Sequence, residues 1–403
     1  MANKILQFNN NHSAIVLGLP ETGLAIGRSL GKKQISVIGI SHTKEIGYYS
    51  KYIDGKILPH PFKQEKEFIK ELKSICSVLK LKPILFIASD EYLQFYIRNE
   101  MFVNEYFLTT LPPAKLIENI QDKYAQYKLA QDANIDTPKT FFIEEKKDDV
   151  EQIAKSINYP VLIKARDVNI WRKKVSGRKK AFVIENKEKL QEKLTELKTR
   201  KVPVIVQEIV QSTDRNNFKV CVFINKEGKY QLIFLLKKIH QYPIHFGIAS
   251  TAISIKNEQL YDIGKKLFSS IGYTGVGSAE FKFDNRDKKY KLIEINSRYW
   301  QQNALADYCG MNFPLMDFLE ATDQNPGPIN SYKLGLKWVN LVLSYRSYHQ
   351  YRKLSEINFR TWFNDIKGKK VISFCTIDDI RLSLIYWYRQ FLRIVISAIK
   401  KQN

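Results

Sequence analysis

Gly277-Ser-Ala-Glu-Phe-Lys-Phe-Asp284 and Lys289-Tyr-Lys-Leu-Ile-Glu-Ile-Asn296 are the two segments that decide the fold of this chain. In both segments polar and apolar residues alternate, which is typical of β-strands with one buried face. The polar residues 285–288 between them favour a turn, so the two segments predict a β-hairpin folded about Asp287.

The polar side chains of this hairpin fall on one face. Residues two apart on a strand share a face, so Glu294, Asn296 and Arg298 lie together, and Glu280 falls opposite Glu294. Two facing carboxylates repel each other, and a magnesium ion between them would remove that repulsion. We therefore predict Glu280, Glu294 and Asn296 as magnesium ligands, and Arg298 as a catalytic donor to a phosphate or a developing oxyanion. The alternative is an exposed hairpin face that carries ordinary charges.

This run resembles the closing motif of the ATP-grasp ligases, which make an acyl phosphate from a carboxylate and ATP and transfer the acyl group to an amine. The resemblance covers roughly residues 10 to 325. It is strongest to the branch of predicted carboligases that includes D-aspartate ligases, and weaker to carbamoyl-phosphate synthase domains. It implies ATP and Mg²⁺ as cofactors.

The family's earlier motifs also have counterparts here, in the expected order. Asn158-Tyr-Pro-Val-Leu-Ile-Lys-Ala165 resembles the strand whose lysine contacts nucleotide phosphates, which would be Lys164. Asp122-Lys123, at the head of a predicted helix closed by Thr137-Pro-Lys-Thr140, resembles the entry segment, whose lysine also meets phosphate. The resemblance therefore implies that Lys123 and Lys164 bind the triphosphate.

Val204-Ile-Val-Gln-Glu-Ile-Val210 resembles the hinge strand that recognises adenine. The resemblance implies that the cofactor-binding residues here are Gln207, Glu208, Ile209 and Val210. Asp214 is placed to reach the ribose.

Two segments leave their function open. Family members carry a Gly-rich loop over the triphosphate, whereas Arg172-Lys-Lys-Val-Ser-Gly-Arg-Lys-Lys180 has one glycine and six cations. The segment 172–180 would bind phosphate or an anionic substrate by charge, or it would be a solvated basic loop. Lys238 resembles a catalytic position facing the reacting phosphate, while His240 and His245 are expected to be ordinary histidines because no other His or Cys sits at metal-ligand spacing.

The composition is that of a globular protein with an excess of positive charge. The chain has 403 residues, a formal net charge of +23 and 44% hydrophobic residues. Its four cysteines are scattered, which favours reduced thiols over a disulfide framework. We find neither a signal peptide nor an apolar run long enough to span a membrane, so we expect a cytoplasmic protein.

The N-terminal third has the pattern of a Rossmann-like parallel α/β unit. Strands are predicted at 13–18, 35–40 and 82–88, with a helix from about Thr22 to Leu30. Its glycines do not match Gly-x-Gly-x-x-Gly and no Walker A sequence occurs, which argues against a dinucleotide site. Ser89-Asp-Glu91 follows a strand's carboxyl end, where α/β sheets bind ligands, although a helix N-terminus is the stronger interpretation.

The C-terminal segment is the most basic part of the chain. Residues 331–403 hold 14 Lys+Arg and 4 Asp+Glu. Helical spacing predicts one apolar face with aromatic residues, which comprises Leu384, Trp387, Tyr388, Phe391, Ile394, Val395 and Ala398. The opposite arc collects Arg381, Arg389, Arg393 and Lys400. This helix either docks on its own domains, binds an anionic membrane surface, or, least favoured, contacts nucleic acid non-specifically.

Taken together, the sequence predicts an α/β ATP-grasp protein with a Rossmann-like N-terminal domain. The predicted domains are 1–118 Rossmann-like, 119–203 central lobe, 204–330 C-terminal lobe and 331–403 a basic, partly amphipathic extension. The expected activity is an ATP- and Mg-dependent carboxylate–amine ligase with small-molecule substrates, whose acceptor would be a cell-envelope or other small molecule. The alternatives are a carboxylate–thiol or carbamate-forming ligase, or a non-catalytic protein at the membrane surface. Contact between the C-terminal helix and an anionic membrane would place the chain at the inner face of the membrane.

Overall fold

A computed structural model describes residues 11–143, 147–166, 171, 174–175, 181–324 and 326–402 of the chain. The strands, numbered in chain order, are β1 (Ala14–Leu17), β2 (Val37–Ser41), β3 (Asp54–Ile57), β4 (Ile84–Ile87), β5 (Thr140–Phe142), β6 (Val161–Ala165), β7 (Ala181–Ile184), β8 (Val204–Glu208), β9 (Asn217–Ile224), β10 (Tyr230–Tyr242), β11 (Ile248–Ser254), β12 (Gly275–Asp284), β13 (Lys289–Asn296), β14 (Lys337–Val339) and β15 (Lys370–Ile372).

The helices are numbered in the same way. They are α1 (Glu21–Gly31), α2 (Glu65–Ser77), α3 (Asp90–Arg98), α4 (Glu100–Tyr106), α5 (Ala114–Gln121), α6 (Lys123–Asp132), α7 (Lys147–Ser156), α8 (Lys187–Thr199), α9 (Glu258–Ser270), α10 (Asn303–Tyr308), α11 (Phe313–Ala321), α12 (Leu341–Lys353), α13 (Phe359–Ile366) and α14 (Ile380–Gln402). Short 3₁₀ helices lie at Ile46–Tyr49, Asp214–Asn216 and Ile377–Asp379.

The N-terminal part contains a parallel sheet in the order β3-β2-β1-β4. Every residue of β1 and β4 is buried, because helices and the rest of the molecule cover both faces of the sheet. The Rossmann-like sheet is therefore confirmed, and β3 is added to the predicted strands.

Two further sheets carry the middle of the chain. One is antiparallel, in the order β5-β8-β6-β7, and packs against α7 and α8 around Val161, Ile163 and Leu190. The other has seven strands in the order β13-β12-β9-β10-β11-β14-β15. The predicted hairpin is confirmed as β12 and β13, which form one edge of this larger sheet.

The C-terminal segment is more than a helical tail. β14 pairs antiparallel with β11, and β15 pairs parallel with β14, so the segment extends the seven-stranded sheet. Trp338 on β14 is fully buried. The sequence analysis missed both strands because three residues are too few to display a strand's alternation.

The end of the chain is anchored on the N-terminal sheet's helices. Arg28 Nε donates to Asp379 Oδ2 at 3.0 Å, and Ser50 Oγ donates to the same oxygen at 2.6 Å. Leu382 and Tyr386, in the first two turns of α14, are also buried. No helix in the described part of the chain combines the length and the apolarity that crossing a bilayer requires.

Candidate active site

The hairpin pairs its two acids directly. Glu280 lies opposite Glu294 in the register of β12 and β13, and Ser278 lies opposite Asn296. The register shifts just after Glu280, so a β-bulge follows the acid. Asn296 Nδ2 lies 3.5 Å from Glu294 Oε2, which gathers the three predicted magnesium ligands on one surface of the hairpin.

Glu280 is neutralised by two lysines. Lys219 on β9 lies opposite it in the sheet, with its Nζ 3.0 Å from Glu280 Oε1, and the Nζ of Lys238 on β10 lies 2.5 Å from Oε2. Burial raises the pKa of Glu280, but the charges of Lys219 and Lys238 outweigh burial and hold the pKa below its ordinary value. The carboxylate is therefore ionised at neutral pH.

Glu294 is paired with a lysine from a different element. Lys123 is the first residue of α6, which begins there because Asp122 caps the helix by accepting hydrogen bonds from the backbone N–H groups of Tyr124 and Ala125. Its Nζ lies 2.7 Å from Glu294 Oε1. Burial raises the pKa of Glu294, but the charge and the hydrogen bond of Lys123 together hold the pKa below its ordinary value. Both facing acids are thus ionised, as magnesium ligands must be.

Lys164 points into the same region from β6. Its Nζ donates to Gln207 Oε1 at 2.7 Å, and Gln207 in turn donates to Thr140 Oγ1 at 2.8 Å. Burial, together with repulsion from Lys123, lowers the pKa of Lys164 to about 8. A bound phosphate would stabilise its charged form.

Arg298 is held by an acid from the N-terminal sheet. Its Nε and Nη2 donate to the two carboxylate oxygens of Asp90 at 2.5 and 3.2 Å. Asp90 is the first residue of α3, immediately beyond the carboxyl end of β4. The segment 89–91 therefore starts a helix and also supplies a partner to the site, and the two interpretations offered by the sequence are compatible.

The site as a whole carries an excess of positive charge. Its carboxylates are Glu280, Glu294 and Asp90. They are outnumbered by the cations, which are Lys123, Lys164, Lys219, Lys238, Lys282 and Arg298. Such a cluster of cations favours a polyanion. Sequence reasoning missed Lys219, Lys282 and the role of Asp90. The only signal for Lys219 was a lone lysine in the apolar run of β9, and its partner became visible only with the strand pairing.

Glu208, in the predicted adenine hinge, already has polar partners within the protein. Glu208 Oε1 accepts from the backbone N–H of Lys139 at 2.9 Å, and its carboxylate forms ion pairs with Arg286 at 3.1 Å and Lys291 at 3.3 Å. Val210 is buried and Ile209 is partly buried. The hinge is thus tied to both the start of β5 and the turn of the β12–β13 hairpin.

Asp214, expected at the ribose, is buried and engaged with other parts of the protein. Its Oδ2 accepts from the backbone N–H of His245 at 2.7 Å and from the hydroxyl of Tyr351 at 2.5 Å. Tyr351 belongs to α12, in the C-terminal segment. A ribose contact would have to share this carboxylate with Tyr351, which the sequence could not reveal.

The two histidines and the basic loop that the sequence singled out lie as follows. His240 is buried, with its Nε2 2.8 Å from Asp365 Oδ2, and neither it nor His245 belongs to a group of metal-ligating side chains in the described chain. The basic loop 172–180 lies outside the described residues apart from Lys174 and Val175. In the described residues, His42, His60 and Glu91 form the one group whose donor atoms lie within 4.8 Å of one another.

The sequence is similar to a protein-family model and to a ligase of known activity. Residues 128–301 match the family model of the ATP-grasp domain. The chain is similar to a D-aspartate ligase of Enterococcus faecium (strain Aus0004), with 25% identity over 276 residues that cover 66% of this chain and 65% of the ligase. The match thus spans a little less than two thirds of that ligase.

Two solved structures of similar fold are nucleotide complexes. An N5-carboxyaminoimidazole synthetase from Staphylococcus aureus complexed with ADP superposes with a TM-score of 0.62 at 15% identity, over 81% of this chain and 82% of that chain. A biotin carboxylase–βγ-ATP complex from Campylobacter jejuni gives 0.62 at 15% identity, over 81% and 74%. At this level of identity the likeness establishes the fold, and the predicted α/β ATP-grasp architecture is confirmed.

Proposed function

Because the chain contains an ATP-grasp domain, we propose that it is an ATP- and magnesium-dependent carboxylate–amine ligase that works through an acyl phosphate. The observation that carries this proposal is the direct pairing of the ionised Glu280 and Glu294 within a cleft of lysines. Paired oxygen ligands and an excess of cations are what a magnesium–triphosphate complex needs.

The residues of the cleft take distinct roles in this proposal. Glu280, Glu294 and Asn296 hold the magnesium, which supplies charge neutralisation at the phosphates. Lys123 and Lys164 bind the triphosphate. These two lysines come from different elements, α6 and β6, so a nucleotide bound between them contacts both a helix and the four-stranded sheet.

The remaining charged residues serve the chemical steps. Lys238 exchanges its contact with Glu280 for the transferring phosphoryl group, and Lys219 keeps Glu280 ionised. Arg298, oriented by Asp90, donates to the oxyanion that forms when the amine attacks the acyl phosphate. Asp90 is a positioning residue in this scheme, because it acts through Arg298.

The likeness to a D-aspartate ligase supports an amino acid as the carboxylate. We propose a cell-envelope precursor as the amine because the C-terminal segment is basic and exposes an apolar face on α14. The test is ADP release with candidate amino acids, singly and in pairs with amines, and with thiols in a parallel series. We expect release that requires an amino acid and an amine together. Glu294→Gln should abolish it while the far-UV circular dichroism stays unchanged; near-normal release from this variant would remove the magnesium assignment.

We further propose that α14 contacts an anionic membrane surface. Its outer side exposes large apolar residues; these are Ile380 (63% exposed), Leu384 (65%), Trp387 (44%), Tyr388 (63%) and Phe391 (62%). A protein of net charge +23 is attracted to anionic headgroups, and an exposed aromatic face adds apolar insertion. Arg389 and Arg393, on the predicted cationic arc, line a cavity between α14 and the body of the protein.

A further inference from the structure

A cavity of about 420 Å³ lies beneath α14, apart from the lysines assigned to the nucleotide. Its walls come from three parts of the chain: the β1–α1 and β2 loops, the segment that follows Arg298, and the C-terminal segment. Its volume lies in the range of small-molecule sites. The cavity exists only because the C-terminal segment folds back onto the N-terminal sheet.

The rim of the cavity is cationic. Four basic side chains line it, namely Lys44, Arg346, Arg389 and Arg393. None of them forms an ion pair with a carboxylate among the described residues. Arg389 donates to Tyr49 Oη at 2.9 Å and lies over that ring, so it is held in place by a neutral partner. Two carboxyls, Glu21 and Glu45, also line the cavity, and Glu45 Oε2 accepts a hydrogen bond from the backbone N–H of Leu19 at 2.5 Å. The four cations outnumber these two acids, and clustered cations repel one another unless anions lie between them.

The floor of the cavity is polar and buried. Glu21, at the start of α1, accepts a hydrogen bond from Gln301 Nε2 at 2.5 Å through Oε2, while its buried Oε1 has no hydrogen-bond partner among the residues that the structure describes. Burial raises the pKa of Glu21 to about 7, so near neutral pH the carboxyl is uncharged in many molecules and opposes an anion little. An uncharged carboxyl can also donate one hydrogen bond to a ligand oxygen.

The cavity and the exposed face are two sides of one helix. Tyr386, Arg389 and Arg393 face the cavity, whereas Trp387 and Phe391 face outwards. A ligand with a phosphate and an apolar chain could therefore place the phosphate among the arginines and the chain along the helix.

We propose that this cavity binds a phosphate- or diphosphate-bearing compound, and that this group is the charged end of the amine acceptor. The second clause rests on the proposed ligase function, and the first does not. Phosphate suits the rim because two or more arginines can donate to its oxygens at once. Gln301 follows Arg298 by three residues, so the cavity adjoins the loop that carries the proposed oxyanion donor.

The test is calorimetric titration of the full chain with inorganic pyrophosphate, with the nucleotide site saturated by magnesium and a non-hydrolysable ATP analogue. We expect binding at one site, weakened at least about tenfold by Arg346→Gln with Arg393→Gln. The matched control is Arg352→Gln, an exposed arginine on the same helix as Arg346, for which we expect a change of less than about twofold. Wild-type protein that binds no pyrophosphate, or a double variant that binds it as well as wild type does, would overturn the site.

A second titration identifies the source of the phosphate. Short-chain phosphatidic acid below its micelle concentration replaces pyrophosphate, in wild type and in Trp387→Ser. Tighter binding of the lipid, weakened by Trp387→Ser, assigns the site to a lipid-linked phosphate, and equal binding of both probes assigns it to a soluble one. Pyrophosphate binding and ADP release measured on the same wild-type protein separate the two proposals. Binding without ADP release would leave the cavity standing and refute the ligase, and ADP release without binding would refute only the cavity.

Discussion

Replacing Glu280 by Gln tests the electrostatics of the cleft. The side chains of Glu280, Lys219 and Lys238 are 21%, 7% and 8% exposed, so the variant leaves two nearly buried lysines without their acid. Removing one partner of such a buried pair costs roughly 3–5 kcal/mol of unfolding free energy. With an unfolding entropy of about 2.1 cal/mol/K per residue, a chain of this length that unfolds as one unit would lose about 4–6 °C in Tm.

The assay is thermal unfolding without nucleotide at pH 7, followed by ADP release with magnesium. We expect Glu280→Gln to lower Tm and to abolish ADP release. The control is Glu258→Gln, whose ion pair with Lys256 is exposed and screened by solvent, so we expect little change in Tm. Adding Lys238→Met to Glu280→Gln should restore part of the lost stability, because it removes one of the unpaired charges.

The pH dependence of this effect has a definite sign. The pKa of Glu280 is lowered in the folded state from an ordinary value of 4.5, so the ion pairs contribute their full stability above that pH and lose it as pH falls further. The difference in Tm between wild type and Glu280→Gln should therefore shrink below about pH 4.5. An unchanged Tm in the variant at pH 7 would refute the ion pairs, and a lower Tm with normal ADP release would refute the metal role.

Three further predictions concern other parts of the site and the terminal helix. Since burial and Lys123 lower the pKa of Lys164 to about 8, ATP affinity measured by titration should fall as pH rises from 7 to 9, and this fall should be smaller in Lys164→Arg, whose guanidinium stays charged. Asp90→Asn should lower kcat about tenfold or more with little change in the KM for ATP, because Arg298 loses its orienting ion pair; an unchanged kcat would remove the positioning role. Replacing Trp387 and Phe391 by Ser should weaken sedimentation with anionic vesicles at low salt while leaving Tm within about 2 °C, because both residues are exposed; a large drop in Tm would instead indicate a docked face.

The hairpin and its register could be predicted because they depend on local information. Alternation fixes which side chains share a face, and the polar turn fixes which acid faces which. Lys123 and Lys164, by contrast, could be identified only through the order of the family's motifs. The contact between Lys219 and Glu280 could not be predicted from the sequence, because it depends on β9 lying beside β12. These two strands are more than 50 residues apart in the chain.

The structure of the C-terminal segment could be predicted from the sequence only in part. Helical periodicity correctly separated the aromatic face of α14 from its cations, but periodicity cannot tell which face meets the protein. Burial of Leu382 and Tyr386 turned Arg389 towards Tyr49, leaving the aromatic face outside. The strands β14 and β15 were equally hidden, because their pairing, and not their composition, makes them strands.

The contact between Arg28 and Asp379 has a consequence for how the protein is made. The two residues are 351 positions apart, so a ribosome adding about 5–20 residues per second exposes Arg28 roughly 20–70 s before its acid exists. Until then Arg28 on α1 lacks its acidic partner, and a residue translated 351 positions later completes this contact of the N-terminal domain. A chain that stops before Asp379, by nonsense mutation or stalled translation, would release an N-terminal domain with an unpaired Arg28, which is the kind of defect that cellular proteases and chaperones recognise.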